Sequence, residues 1–203
     1  MNCTGDLLFR DSFEGCGNLK RICIILAVCI LLSGCTGGQN ELNRVLQLRA
    51  RLQENGCSFV AVITADYADY IYTFSMSCTA DSNGNVCFEV IEPETISGIR
   101  GEISSDGGKL LFEDVALSFS MLADGQITPV SAPWLLVKTL FSGFLSAAAT
   151  EGELLHVMAN DSYYDDALLL DIWFSSGDHP VKADILYRDR RILSIKVENF
   201  RVL

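Results

Sequence analysis

Cys57-Ser58-Phe59-Val60-Ala61-Val62-Ile63 is followed a few residues on by Tyr70-Ile71-Tyr72-Thr73-Phe74-Ser75-Met76-Ser77-Cys78, and both stretches alternate with period two. Strict alternation of this kind marks strands with one apolar and one wetter face. Cys57, Phe59, Ala61 and Ile63 share one face of the first; Tyr70, Tyr72, Phe74, Met76 and Cys78 share one face of the second. Asp66-Tyr67-Ala68-Asp69 supplies the turn between them. A four-residue loop over 66–69 pairs 65 with 70, 63 with 72, 59 with 76 and 57 with 78. That register brings the two apolar faces together, which a one-residue slip would undo. It also makes Cys57 and Cys78 cross-strand neighbours and candidate disulfide partners. Matching Val86, Phe88 and Val90 to Phe74, Met76 and Cys78 turns Cys87 to the other face. Three reduced, half-buried thiols are the alternative, and the sequence leaves both open.

Working outward, the period-two pattern persists. Asp81-Ser82-Asn83-Gly84-Asn85 is a second turn, with Gly84 suited to a left-handed position. Strands are expected at 86–92, 95–104, 109–114 and 116–123, with Asp106-Gly107-Gly108 turning the chain between two of them. On the N-terminal side, Asn40 caps a helix running to about residue 54, with Leu42, Val45, Leu46, Leu48 and Leu52 as its apolar stripe. Asn55-Gly56 stops it. On the C-terminal side, Ser131-Ala132-Pro133 opens a second helix expected to reach about Ala149. It is apolar nearly all round (Trp134, Leu135, Leu136, Val137, Leu140, Phe141, Phe144, Leu145), with Lys138 its one charge before Glu151. Such a helix is buried or covered. Strands at 153–159, 167–175, 181–188 and 192–202 complete the chain. The expected class is α+β: one antiparallel sheet of about 10–11 strands with two or three helices on one side of it.

Before residue 40 the pattern is of another kind. Lys20-Arg21 precedes a short apolar run, Ile22 to Leu32, which ends in Leu32-Ser33-Gly34-Cys35. A basic pair, an apolar segment about half of the ~20 residues needed to cross a bilayer, and small residues before a cut site describe a secretory signal. Cys after Ser33-Gly34 resembles the lipobox of bacterial lipoproteins. That resemblance implies cleavage before Cys35, lipid on its sulfur and an extracytoplasmic, membrane-anchored product. Residues 1–34 are then signal, 35–39 a flexible tether and 40–203 a single domain. Asp6, Asp11 and Glu14 are acidic where a signal should be basic, so translation is expected to start further on, with Leu19 read as the initiator.

Removal of 34 residues leaves 169, enough for one domain with a sizeable core. The full chain has 15 Lys+Arg against 26 Asp+Glu, a net charge of −11. This acidity and the absence of a basic stripe with interleaved aromatics argue against nucleic acid as a partner and against adsorption to anionic lipid. The basic knot Arg188, Arg190 and Arg191 suits a solvated turn. Only two His are present, His156 and His179, and both read as structural. There is no His-Glu-x-x-His, Gly-x-Ser-x-Gly or phosphate-cradling glycine loop. Asn160-Asp161 with Asp165-Asp166 lacks the Gly and terminal Glu of a calcium loop. The expectation is a protein that is not an enzyme and has no cofactor and no metal site.

A helix, an antiparallel meander, an apolar helix and more meander resembles the LolA/LprG-like superfamily. The likeness runs from about Glu41 to Phe144 and rests on layout: Tyr72-Thr73-Phe74, Phe88-Glu89-Val90, the Asp106-Gly107 turn before Leu110-Leu111-Phe112, and Pro133-Trp134-Leu135-Leu136. It implies a sheet curled into an open half-barrel with helices across an apolar cavity for acyl chains. Tyr70, Tyr72, Phe74 and Met76 on the sheet and Trp134, Phe141 and Phe144 on the helix are the lining that reading selects. The alternative is that these side chains close on one another as core. The carrier that names the superfamily is soluble and holds its lid with an arginine on an early strand; this chain has Cys35 and no Arg between Arg51 and Arg100. Anchored relatives of the LolB and GerS types are therefore the nearer analogy, the latter a partner of an amidase. The implied partners are the membrane through Cys35, then an acyl lipid or lipoprotein, an envelope protein, or a second copy.

Overall fold

The computed structural model describes residues 37–111, 123–164 and 167–203. Cys35, residues 1–34, expected to be a signal, and residues 116–122 of the strand expected at 116–123 lie outside the described residues. Helix α1 spans Gly37–Asn55 and leads straight into β1, Cys57–Asp66. Then come β2 (Ile71–Ala80), β3 (Val86–Glu92), β4 (Arg100–Ser104) and β5 (Gly107–Leu111). Helix α2 (Ala132–Ser142) is followed by β6 (Phe144–Glu151), β7 (Leu154–Asn160), β8 (Leu169–Phe174), β9 (Pro180–Tyr187) and β10 (Arg190–Val202). All ten strands join one antiparallel sheet in the order β5-β4-β3-β2-β1-β10-β9-β8-β7-β6. The sheet is curved and open, and two α-helices accompany it among the described residues.

The order follows from the chain being two meanders. β1–β5 are joined by short turns, β6–β10 likewise, and the first strand of one meander pairs with the last strand of the other, β1 on β10. Every second residue then faces a common core: Phe59, Ala61 and Ile63 from β1, Phe74 and Met76 from β2, Leu170, Ile172 and Phe174 from β8, Leu193 and Ile195 from β10. Val45, Leu48 and Leu52 are the part of the α1 stripe that joins them, while Leu46 stays 45% exposed. α2 is buried almost throughout and packs against β3 and β10, so it lies across the strands at the centre of the sheet.

Four expectations need correction. The β1–β2 register pairs Cys57 with Ala80, Phe59 with Cys78 and Ile63 with Phe74, two residues away from the expected one. The turn is Tyr67–Tyr70, because the Asp66 carboxylate accepts from the Ala68 amide at 2.8 Å and the Tyr67 and Tyr70 rings stack 4.7 Å apart. An even slip leaves the side chains that stay within the two strands on their expected faces. Cys57 and Cys78 are thus diagonal rather than opposite, and Cys57, Cys78 and Cys87 are all free thiols.

The second correction is larger. α2 ends at Ser142, and residues 144–151 form β6 instead of more helix. Gly143 is extended at φ −61° and ψ 153°, and a Cβ there would lie 2.6 Å from the Thr139 side chain and 2.7 Å from its carbonyl oxygen. Phe144-Leu145-Ser146-Ala147-Ala148-Ala149 has no alternation to announce a strand; pairing with β7 overrides its helix propensity. Third, the strand expected at 95–104 is a short 3-10 turn, Glu94–Ile96, followed by β4. Fourth, α1 already includes Gly37–Gln39, expected to be part of the tether.

Candidate functional site

The candidate site is the contact of α2 with the core-facing side of the sheet. Phe74 and Met76 point into it from β2 and are 1% and 0% exposed; Phe141 enters from α2 at 7%. Phe141 also reaches the β2–β3 turn, where a Cβ on Gly84 would stand 3.6 Å from its ring. Tyr72 and Trp134 are half-buried and pack against the same core. These five of the seven expected lining residues are brought together. Tyr70 is not among them: it lies in the β1–β2 turn, 54% exposed and stacked on Tyr67. Nor is Phe144, which leaves the helix, faces outward on β6 at 47% exposure and sits 5.6 Å from the Tyr163 ring.

What holds α2 in place was missed by the sequence reading. Arg49 on α1 donates from Nε to the Leu140 carbonyl at 2.7 Å and from Nη2 to the carbonyls of Gly143 at 2.8 Å and Thr139 at 3.2 Å. Gln53, one turn further, donates to the Phe141 carbonyl at 2.8 Å. Two side chains of α1 therefore satisfy the free carbonyls of Leu140 and Phe141 in the last turn of α2 and that of Gly143 just beyond it. They also add a second donor to Thr139, whose carbonyl accepts from the Gly143 amide at 2.8 Å. A cation there also faces the negative end of the helix dipole. Burial pulls the Arg49 guanidinium below its ordinary value, with Tyr163 acting the other way. The signal was present: Arg49 lies four residues after Val45 and three before Leu52, a charge inside an apolar stripe. At the outward side of α2, Lys138 pairs with Asp161 at 3.2 Å and lies 5.4 Å from the Trp134 ring centre. α1 is itself pinned to the β8–β9 turn through Arg44 and Asp178, 2.6 Å apart.

Two grooves open on the opposite, outward face of the sheet. One of about 540 Å³ is lined by Val62, Thr73, Ser75, Ile91, Glu92 and Glu94. The other, about 360 Å³, is lined by Ser77, Thr79, Cys87, Glu89, Arg100 and Glu102. Both are open to solvent and mix charged and apolar side chains, unlike the buried apolar face across the sheet. His156 Nε2 stands 3.2 Å from Asp171, and its ring stacks on Trp173 at 4.6 Å. Lys182 covers the same indole at 4.2 Å, and the indole N–H donates to Glu151 at 2.8 Å. This reads as a cross-strand ladder whose members satisfy one another. His179 lies against Phe200, 5.7 Å between ring centres. Among the described residues, no group of three or more His, Cys, Asp or Glu could hold a metal ion.

The three described thiols are sharply divided by burial. Cys57 is pushed up to about 12 by loss of solvent, and Cys78 is raised in the same direction by burial and by Cys57 beside it. Cys87 is exposed. Treating the native protein with a maleimide at pH 8 is expected to label Cys87 and to spare Cys57 and Cys78 until urea is added, as peptide mass mapping can check.

No protein-family profile matches the chain, and no curated protein matches it. Similar solved structures share little sequence with it. An uncharacterized conserved protein from Thermus thermophilus is 12% identical over 81% of this chain and 86% of its own, with a TM-score of 0.43. A LolA superfamily protein from Nitrosomonas europaea is 11% identical over 83% and 94%, with a TM-score of 0.41. A DUF1329 family protein from Desulfovibrio piger is 7% identical over 81% and 92%, with a TM-score of 0.40. No helix among the described residues is long and apolar enough to cross a membrane.

Proposed function

We propose that this chain is a membrane-anchored, extracytoplasmic lipoprotein, lipidated at Cys35, that binds acyl chains of a lipid or lipoprotein between the concave sheet and α2 and is not an enzyme. The supporting observation is the kind of contact that holds α2: an apolar helix seated on an apolar face, fastened at one end by polar bonds from Arg49 and Gln53. An alkyl chain offers the sheet the same surface that α2 offers. Burying ten or more methylenes is worth on the order of 8 kcal/mol at about 0.8 kcal/mol each. Each hydrogen bond of the fastening contributes roughly 1 kcal/mol, or up to about 3 where the cation donates. An acyl chain would also have to offset the burial of Leu135, Leu136, Val137, Leu140 and Phe141 of α2, about 1.5–3 kcal/mol each, so the fastening is one of the terms that set the balance between α2 and an acyl chain.

A second reading has its own support. Phe74, Met76, Leu136 and Phe141 are all at most 7% exposed and belong to one continuous core. In that reading the space is filled, and the protein is an anchored scaffold for an envelope or spore-cortex enzyme.

Native mass spectrometry with organic extraction separates the two, on residues 38–203 purified without detergent. The acyl-binding reading expects co-purified lipid, several-fold more of it in Arg49→Leu, and none in Phe74→Asp variants that keep their circular dichroism. Folded wild type and Arg49→Leu that both stay lipid-free after incubation with phospholipid vesicles would sink acyl binding and leave the scaffold.

A further inference from the structure

Of the ten described strands, β5 and β6 each have a neighbour on one side only. An unpaired edge is a template for another strand unless something blunts it. β5 is five residues long and contains Gly107, Gly108 and Lys109, all of them blunting features. β6 is eight residues long, without Lys, Arg, Pro or Gly, and its one charge is the last residue, Glu151. Only Leu145 and Ala148 are even half-buried. A bulge between Leu145 and Ala147 is its sole irregularity, and from Ala147 to Glu151 the pairing with β7 is regular.

We propose that β6 pairs antiparallel with β6 of a second copy, about a two-fold axis at Ala148, to make one sheet continuous across two molecules. The partners of β7 fix which face each residue takes: Ala147, Ala149 and Glu151 lie outward, Ala148 and Thr150 inward. Antiparallel pairing requires opposed residues to share a face. Centring on Ala148 meets this, setting Ala147 against Ala149 of the second copy and Thr150 against its bulge. The small side chains of Ala147, Ala148 and Ala149 leave the backbones free to approach.

The same strand, uncharged before Glu151, is present on every molecule, which makes a second copy the occupant. The run 144–150 is uncharged, and self-pairing places the two Glu151 carboxylates at opposite ends of the ladder, roughly 20 Å apart at about 3.4 Å per residue. That exceeds the Debye length of about 8 Å at physiological salt, so they do not repel appreciably. Each copy carries −11 overall, so low salt opposes the pairing and added salt favours it. A single strand edge is smaller than a standard interface of ~1,200 Å², so the association is weak and concentration-dependent. Pairing at β6 does not depend on what occupies the concave face.

The test is sedimentation equilibrium of the full chain in density-matched micelles from about 1 to 100 μM, with amide exchange at both ends of that range. Self-pairing expects a dimer whose fraction rises from 50 to 500 mM salt, and exchange protection that grows with concentration in residues 144–151. Ala147→Lys/Ala149→Lys is expected to weaken association at least tenfold without altering the circular dichroism. A monomer at 100 μM, concentration-dependent protection elsewhere than β6, or a folded double variant that dimerises like wild type each overturns it. If the double variant does not fold, the exchange pattern of the wild type decides.

Discussion

Between roughly pH 9 and pH 11 the protein is expected to lose several kcal/mol of stability that a Cys57→Ala/Cys78→Ala variant does not lose. Both thiols face the core, Cys57 at 0% and Cys78 at 1% exposure, and burial disfavours their thiolates. In the unfolded chain the same groups ionise near their ordinary pKa of about 8.5. Over the interval between the two values, the unfolded state has given up protons that the folded state still holds. Stability therefore falls as pH rises, by about 1.4 kcal/mol per unit for each thiol. The contribution is intact below the unfolded value and is lost progressively toward the folded one, which for Cys57 is about 12. Two thiols over two units reach about 5 kcal/mol, comparable with the whole stability of many domains at about 5–15 kcal/mol. Tyr67, raised by burial and by Tyr70 and Tyr72, pushes in the same direction, but equally in both proteins. Urea unfolding followed by the fluorescence of Trp134 and Trp173 at pH 7.5, 9.5 and 11 measures the two slopes. The variant is expected to start lower, because it leaves small cavities, and to run flatter. Parallel slopes would mean that one or both thiols reach solvent in the folded state.

Much of this fold could be read because its information is local. Alternation along β1, β2 and β3 assigns each residue to a face whatever the register, which is why a two-residue difference at the β1–β2 turn displaced Cys78 along the strand without exposing it. Where the deciding contact is distant in sequence, local reading failed. Residues 144–149 look helical from composition, and only pairing with 156–160 makes them a strand. Leu46 fits the stripe of α1 as well as Leu48 does, yet just one of them meets the sheet. At the candidate site, apolar residues were found by periodicity, but the polar fastening was not. Arg49 and Gln53 reach carbonyls some ninety residues away, and a backbone acceptor leaves no mark in the sequence of the element that supplies it.

Gly56→Ala is expected to cost on the order of 3–5 kcal/mol, several times more than Gly98→Ala or Gly152→Ala. All three glycines have positive φ, at 76°, 86° and 61°. Each substitution therefore pays the left-handed penalty of about 1–2 kcal/mol that a Cβ brings. Surroundings make the difference. Nothing lies within 4 Å of a Cβ built on Gly98 or Gly152, whereas one on Gly56 would run into the Ala80 carbonyl oxygen and lie 3.1–3.2 Å from Asp81 backbone atoms. Those are main-chain atoms at the end of β2, with no flexible side chain to give way. Gly56 is also the whole joint between α1 and β1. Its amide closes the helix on Leu52 at 2.7 Å, and its carbonyl accepts from Leu203 at 3.3 Å. Relief of the clash must tilt α1 away from the sheet, and α1 carries Arg49 and Gln53. The variant is thus expected to loosen α2 as well, seen as faster amide exchange in 139–143 than in the Gly98→Ala and Gly152→Ala controls. A Gly56→Ala protein as stable as those controls would show that α1 shifts freely on the sheet, and the fastening of α2 would then lose its rigid support.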